Sequence, residues 1–184
     1  MKKSKYIIIV LILTIISIGI LFGIDKLKKQ KGEPVSGVFA INGLLYKDGS
    51  DKPFTGTAKD TVANNIMEYD VVNGIKFGRF HLYTDGDHLT ISGELENNKN
   101  TGEWTYYYPS GKIESRGEFK DDMLVGKWIW YYQDGTIKEE GFYIKGEREG
   151  KWVTYNENGI IQSQVTFENG KAICEIKAER FVST

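Results

Sequence analysis

Gly78, Gly102, Gly126 and Gly150 stand 24 residues apart, and two residues after each comes a large ring: Phe80, Trp104, Trp128 and Trp152. Tyr83, Tyr107, Tyr131 and Tyr155 keep the same step, as do Leu89, Ile113, Ile137 and Ile161, and again Leu95, Phe119, Tyr143 and Phe167. Gly93, Gly117 and Gly141 form a sixth column, with Val165 in the fourth place. A fixed period of this length marks a repeat architecture, in which each unit is one supersecondary element that buries its apolar face only by stacking on its neighbours.

The chemistry of one unit identifies that element as a β-hairpin. Gly102 to Tyr108 is rich in aromatics and Thr, too short for a stable helix, and ends at the turn cluster Pro109-Ser110-Gly111. The return limb alternates with period two: Ile113, Ser115, Gly117 and Phe119 on one side, Lys112, Glu114, Arg116 and Glu118 on the other. Gly117 leaves room for a cross-strand ring, for which Trp104 is the candidate. Trp104 and Tyr107 differ by three, so either both faces are partly covered or a bulge brings the two rings together. The Phe and Trp column and the column Tyr83, Tyr107, Tyr131 and Tyr155 are read as the structural core. Stacked hairpins give an all-β, elongated antiparallel meander.

The ends of the array depart from the period. Residues 37–73 read as a degenerate first repeat, hairpin-like around Tyr46, Phe54 and Gly56 but out of phase, with Ile66 to Val72 matching a return limb. Four repeats occupy 74–170. Residues 171–184 keep the strand pattern without large rings and read as a C-terminal cap, in which Cys174 takes a repeat's glycine position and is expected to be a buried thiol.

Before the array lies a different composition. Tyr6 to Ile24 is apolar apart from Thr14, Ser17, Gly19 and Gly23, and 19 residues at helical rise give roughly 28 Å, the thickness of a bilayer core. Lys2, Lys3 and Lys5 precede the run and Lys26, Lys28, Lys29 and Lys31 follow it, as anchors at a membrane surface do. No small-residue cleavage site follows Gly23, so the run is read as an uncleaved transmembrane anchor behind a basic tail, 1–5, and before a charged linker, 25–36. The short tail favours an orientation with the repeat domain outside the cytoplasm, a single-pass protein of the cell membrane. From Pro34 onward 17 Lys and Arg face 23 Asp and Glu, a net of −6. That sign opposes a phosphate backbone and excludes nucleic acid as a partner.

Gly102-Glu103-Trp104-Thr105-Tyr106-Tyr107-Tyr108-Pro109-Ser110-Gly111 and Gly126-Lys127-Trp128-Ile129-Trp130-Tyr131-Tyr132-Gln133-Asp134-Gly135 resemble the variant MORN (membrane occupation and recognition nexus) repeat. The leader Leu45-Tyr46 with Lys52-Pro53-Phe54-Thr55-Gly56-Thr57 is similar to the opening of bacterial proteins of this family. The resemblance covers about residues 45 to 172. It implies a β-hairpin repeat domain without known catalytic residues, found in bacteria behind an export signal or anchor, and many relatives carry an antitoxin label. Two copies depart from the pattern: Phe80 replaces Trp and its turn Gly86 comes one residue early, and Val165 replaces Gly.

Nothing in the chain assembles a catalytic constellation. Cys174 is the only thiol, His81 and His88 flank one turn, the carboxylate pairs Asp121-Asp122 and Glu139-Glu140 recur with turns and outward positions, and no phosphate-binding glycine loop precedes a helix. The expectation is a non-enzyme with no cofactor and no metal. The rings that vary between copies are the candidate ligand-facing aromatics: Tyr106 and Trp130, whose column holds Leu82 and Thr154 elsewhere, and Tyr108 and Tyr132. The leading reading is a membrane-anchored scaffold for an unidentified protein partner at the cell envelope. The alternatives are binding of an envelope glycan through exposed rings, or the antitoxin of a toxin-antitoxin pair.

Overall fold

The computed structural model describes residues 33–177 except Gly86. The anchor Tyr6–Ile24, the basic tail, most of the linker, the early Gly86 and the last residues of the cap lie outside the described residues. Thirteen strands follow one another: β1 Val38–Ile41, β2 Leu44–Lys47, β3 Gly56–Val62, β4 Asn65–Val72, β5 Ile75–Thr84, β6 His88–Glu96, β7 Lys99–Tyr107, β8 Ile113–Lys120, β9 Met123–Tyr131, β10 Ile137–Ile144, β11 Glu147–Tyr155, β12 Ile161–Glu168 and β13 Lys171–Lys177. β3 to β13 form one eleven-stranded antiparallel sheet in strict sequence order, and β1 and β2 form a separate two-stranded sheet. At the usual strand spacing the large sheet extends about 48 Å across its strands.

Two alternating kinds of turn generate the order. At one end of the hairpins the central residues are Asn73-Gly74, Asn97-Asn98, Asp121-Asp122, Lys145-Gly146 and Asn169-Gly170, all with positive φ, for example 51° and 67° at Asp121 and Asp122. Two left-handed residues in a row match the twist of the flanking strands, and Asn, Asp and Gly are the residues that tolerate it. At the other end the chain makes a wider loop. The Gly111 N–H donates to the Tyr108 carbonyl at 2.8 Å and the Tyr108 N–H to the Lys112 carbonyl at 2.8 Å, a pattern repeated at Tyr132 and Gly135 and at Asn156 and Gly159.

One face of the sheet carries the core. Ala58 pairs with Tyr69, Tyr69 with Phe80, Phe80 with Gly93, Trp104 with Gly117, Trp128 with Gly141 and Trp152 with Val165, so one line of residues crosses the strands on a single face. Three Trp rings are buried in this line, Trp104, Trp128 and Trp152, the last 2% exposed. Each lies over the glycine of the preceding strand. A Cβ at Gly93 would stand 2.3 Å from the Trp104 ring, one at Gly117 2.2 Å from Trp128, and one at Gly141 2.2 Å from Trp152. Gly117 therefore makes room for Trp128 and not for Trp104, which sits on Gly93. The lean toward the preceding strand is fixed by the indole N–H: Trp104 donates to the Glu94 carbonyl, Trp128 to that of Glu118 and Trp152 to that of Phe142, each at 3.2 Å.

Tyr107 lies on the opposite face, so Trp104 and Tyr107 cover both sides of the sheet. Its hydroxyl meets Ser92 Oγ at 3.2 Å, Arg116 stands over the ring of Tyr131, Tyr155 donates to Glu140 at 2.9 Å, and Tyr83 meets His81 Nδ1 at 3.3 Å.

The two sheet edges differ. β3 is shielded by Val35, whose N–H donates to the Thr57 carbonyl and whose carbonyl accepts from the Lys59 N–H, and Val38, Leu45 and Phe54 close the N-terminal end of the core around Ala58, Tyr69 and Val71. Residues 37–73 are thus two units, the separate β1–β2 hairpin and the first hairpin of the large sheet. β13 is the opposite edge, exposed along most of its length, with Lys at both ends and a bulge opposite Thr166 and Phe167, devices that discourage edge-to-edge pairing.

Candidate interaction surface

The rings singled out by their variability do not stand free. Tyr106 and Trp130 lie on the core face, because Tyr106 pairs with Ser115 and Ser115 with Trp130 two residues along from the Trp and Gly line. Tyr106 packs against the buried cluster and lies 6.3 Å from Trp128 between ring centroids. Trp130 fits between Trp128 at 5.8 Å and Trp152 at 5.7 Å, with Tyr143 at 6.5 Å. Burial raises the Tyr106 phenol above its ordinary range. Leu82 and Thr154 show that the column tolerates smaller groups, but where the rings are present they extend the core layer sideways.

Tyr108 and Tyr132 belong to the wide loops and have a structural task. The Tyr108 hydroxyl donates to the Tyr131 carbonyl at 2.6 Å and that of Tyr132 to the Tyr155 carbonyl at 2.7 Å, each reaching past one return strand to the next hairpin. The four candidate rings thus tie neighbouring repeats together. Trp130 and Tyr143 remain partly exposed at the outer margin of the aromatic layer, where Arg148 stands 4.0 Å over the Trp152 ring and pairs with Glu139.

The residues weighed for chemistry stay apart. His81 faces Ser92 across the β5–β6 pair, whereas His88 faces Thr84, and no group of three or more potential metal ligands forms among the described residues. Cys174 is exposed on the edge strand and not buried: its column, Gly78, Gly102, Gly126 and Gly150, is not the one that lies under the Trp rings, and β13 has a neighbouring strand on one side only.

The opposite face carries a feature that the ring columns did not signal. Positions Asp70, Glu94 and Glu118, 24 apart, place an acid on this face, and the next member of the column is Phe142. Two residues on, Glu96 and Lys120 give way to Ile144. Phe142 is 53% and Ile144 58% exposed. With Val153 and Ile161 they line an open groove of about 620 Å³, bordered by Lys127, Glu140, Glu149 and Lys151. Within it Glu140 accepts from Lys127 Nζ at 2.8 Å and from the Tyr155 hydroxyl at 2.9 Å. The Lys127 bond holds the Glu140 carboxyl below its usual range against the opposing effect of burial, and Tyr155 adds to it. Burial, then the Glu140 bond, pushes the Tyr155 phenol up. The break in the acidic column was the available signal.

A single-layer, sequential sheet of hairpins locked by a ring-on-glycine ladder defines a β-hairpin repeat protein. The family model of the MORN repeat variant matches three consecutive stretches, residues 100–121, 124–145 and 148–169, so these residues are similar to three consecutive repeats of that family. The match begins one unit after the copy in which Phe80 stands for Trp. No curated protein matches the chain. Among solved structures, two of TarM are similar: the G117R mutant of S. aureus TarM in complex with fondaparinux, α-GlcNAc-glycerol and UDP, 14% identical, and a crystal structure of TarM, 15% identical. Each covers 66% of this chain with a TM-score of 0.32, and this chain spans about a fifth of the length of either, 21%.

Proposed function

We propose that the protein is a non-catalytic scaffold, held at the cell membrane by Tyr6–Ile24 with its repeats outside the cytoplasm, and that it binds a protein partner there. The observation that supports it is the partly exposed margin of the aromatic layer. Trp130, Tyr143 and the Arg148–Glu139 pair together offer flat rings beside a fixed charge pair, the composition of interface hot spots. The ladder of buried Trp rings beneath keeps that margin rigid, which lowers the entropy lost on docking.

The test is crosslinking in intact cells, with the captured protein identified by mass spectrometry. The informative variant is Trp130→Thr, because Thr154 occupies that column in the next repeat and the fold accepts it. Capture by the parent, reduced at least tenfold in the variant while the sheet signal in circular dichroism persists, supports the reading. Equal capture moves the interface elsewhere. Retention of the parent on purified envelope polysaccharide, lost in the variant, replaces the protein partner with a glycan.

A further inference from the structure

The apolar break on the polar face bears on a different partner. β10 is flanked in register by β9 and β11, with Lys127 opposite Phe142 on one side and Glu149 opposite Phe142 on the other. A twofold axis lying along β10, between two copies stacked face to face, sets Phe142 on its own counterpart and places each Lys127 against the other copy's Glu149. We propose that two copies of this chain pack through this face, centred on Phe142 and Ile144, into a two-layer sandwich.

Three observations support a second copy as the occupant. The groove's border is neutral, Lys127 and Lys151 against Glu140 and Glu149, although the chain from Pro34 onward carries a net of −6. Both signs on one patch suit a self-complementary contact, in which the same surface serves both partners. An axis farther toward the N-terminus, along β7 or β8, would set Glu103 or Glu118 on its own counterpart: the two are direct cross-strand partners, and no ion pair among the described residues involves Glu94, Glu103 or Glu118. The area also suffices. With the axis along β10 the facing strands run from β7 to β13, roughly 34 by 26 Å, about 870 Å² in projection, comparable to the ~800 Å² per partner of a standard interface. A sheet with an apolar face needs a second layer, and aligned sheet-on-sheet packing supplies one.

The inference stands apart from the scaffold reading, which uses the other face. Its test uses the full chain in mild detergent, with mass read by light scattering. The double variant Phe142→Glu with Ile144→Lys restores the residues that Glu118 and Lys120 carry in the preceding repeat, so the fold accepts it. Expected are a dimer at micromolar concentration for the parent and dissociation at least tenfold weaker in affinity for the variant. A monomeric parent, or a variant that dimerises as well as the parent, overturns the proposal. Geometry is checked in a Cys174→Ser background with a bis-maleimide reaching about 10 Å, the spacing of packed sheets. Phe142→Cys should crosslink between copies. Glu118→Cys, two strands from the axis and so about 22 Å from its counterpart once the ~10 Å between the sheets is included, should not. Crosslinking at both positions or at neither is incompatible with the twofold.

Discussion

Trp128→Ala tests the ring-on-glycine ladder at its centre. Trp128 is 3% exposed and touches rings on both sides: Phe119 at 5.4 Å and Tyr143 at 6.2 Å, both edge to face, and Trp130 at 5.8 Å. Removing a buried Trp costs about 3 to 5 kcal/mol. The two edge-to-face contacts and the bond to the Glu118 carbonyl, each about 1 kcal/mol, argue for the upper end, near 5 kcal/mol. That is a large part of the ~5–15 kcal/mol of an ordinary domain. Urea unfolding should show it as a lowered midpoint, read by both circular dichroism and Trp fluorescence because repeat arrays can lose two-state behaviour. The decisive measurement is a double-mutant cycle. Gly117 is not in the left-handed region, so its need for glycine is purely spatial, and Gly117→Ala alone should cost about 1 to 3 kcal/mol through overpacking against Trp128. In the Trp128→Ala background the same change should be neutral or slightly stabilising, since the added methyl enters vacated space. Additive costs, or a loss below about 1 kcal/mol for Trp128→Ala, would refute the ladder as the main source of cohesion.

Lys145 is the one turn residue at its place that is not Asn or Asp, with φ 51°, so Lys145→Asn should raise stability by about 0.5 kcal/mol in thermal unfolding, and no gain would mean the turn is not limiting. Glu140 has a depressed folded-state pKa, so its contribution is present above the ordinary carboxylate range and is lost as pH falls through the folded value. Glu140→Gln should flatten the acid limb of stability against pH below about 4.5, and an unchanged limb would show the Lys127 bond to be inconsequential. Cys174 should react with a maleimide in the native protein without denaturant; protection until unfolding would contradict its exposure. The full chain should remain in the membrane pellet after alkaline washing, and release of an unshortened protein would remove the anchor from the proposed function.

Much of the fold was legible because the period supplies its own proof. Six columns in phase leave one element per unit, and the alternation of Ile113, Ser115, Gly117 and Phe119 against charged neighbours identifies the return strand. What periodicity could not supply is the direction in which a side chain leans. Trp104 and Gly117 do pair across β7 and β8, as spacing suggested, yet the indole turns the other way, onto Gly93, because its N–H finds the Glu94 carbonyl there. Likewise the variability of Tyr106 and Trp130 showed that the fold tolerates other residues there. It did not show that the rings, when present, are free. Whether a half-covered position packs or binds depends on its neighbours along the face, and those come from strands 9 to 24 residues away.

The tyrosines of the wide loops carry this reasoning one step further, to how the array holds together. Adjacent hairpins share strand pairings, but Tyr108 and Tyr132 bond one unit further on, to the carbonyls of Tyr131 and Tyr155. The same loop position holds Thr84 and Asn156 in the outer copies. Cohesion of that kind is therefore concentrated in the hairpins β7–β8, β9–β10 and β11–β12, which are also the three that match the repeat family. Tyr132→Phe keeps the ring and removes only the hydroxyl, so it should cost about 1 kcal/mol, the net worth of one hydrogen bond with the Tyr155 carbonyl left near water. The loss should fall on the unit beyond the mutation. Amide exchange should quicken along β11 and β12 more than along β7 and β8, since in a stacked array each unit is stabilised through its neighbours. Uniform acceleration across all strands would mean that the sheet opens as one body, and the loop bonds would then be incidental to its cohesion.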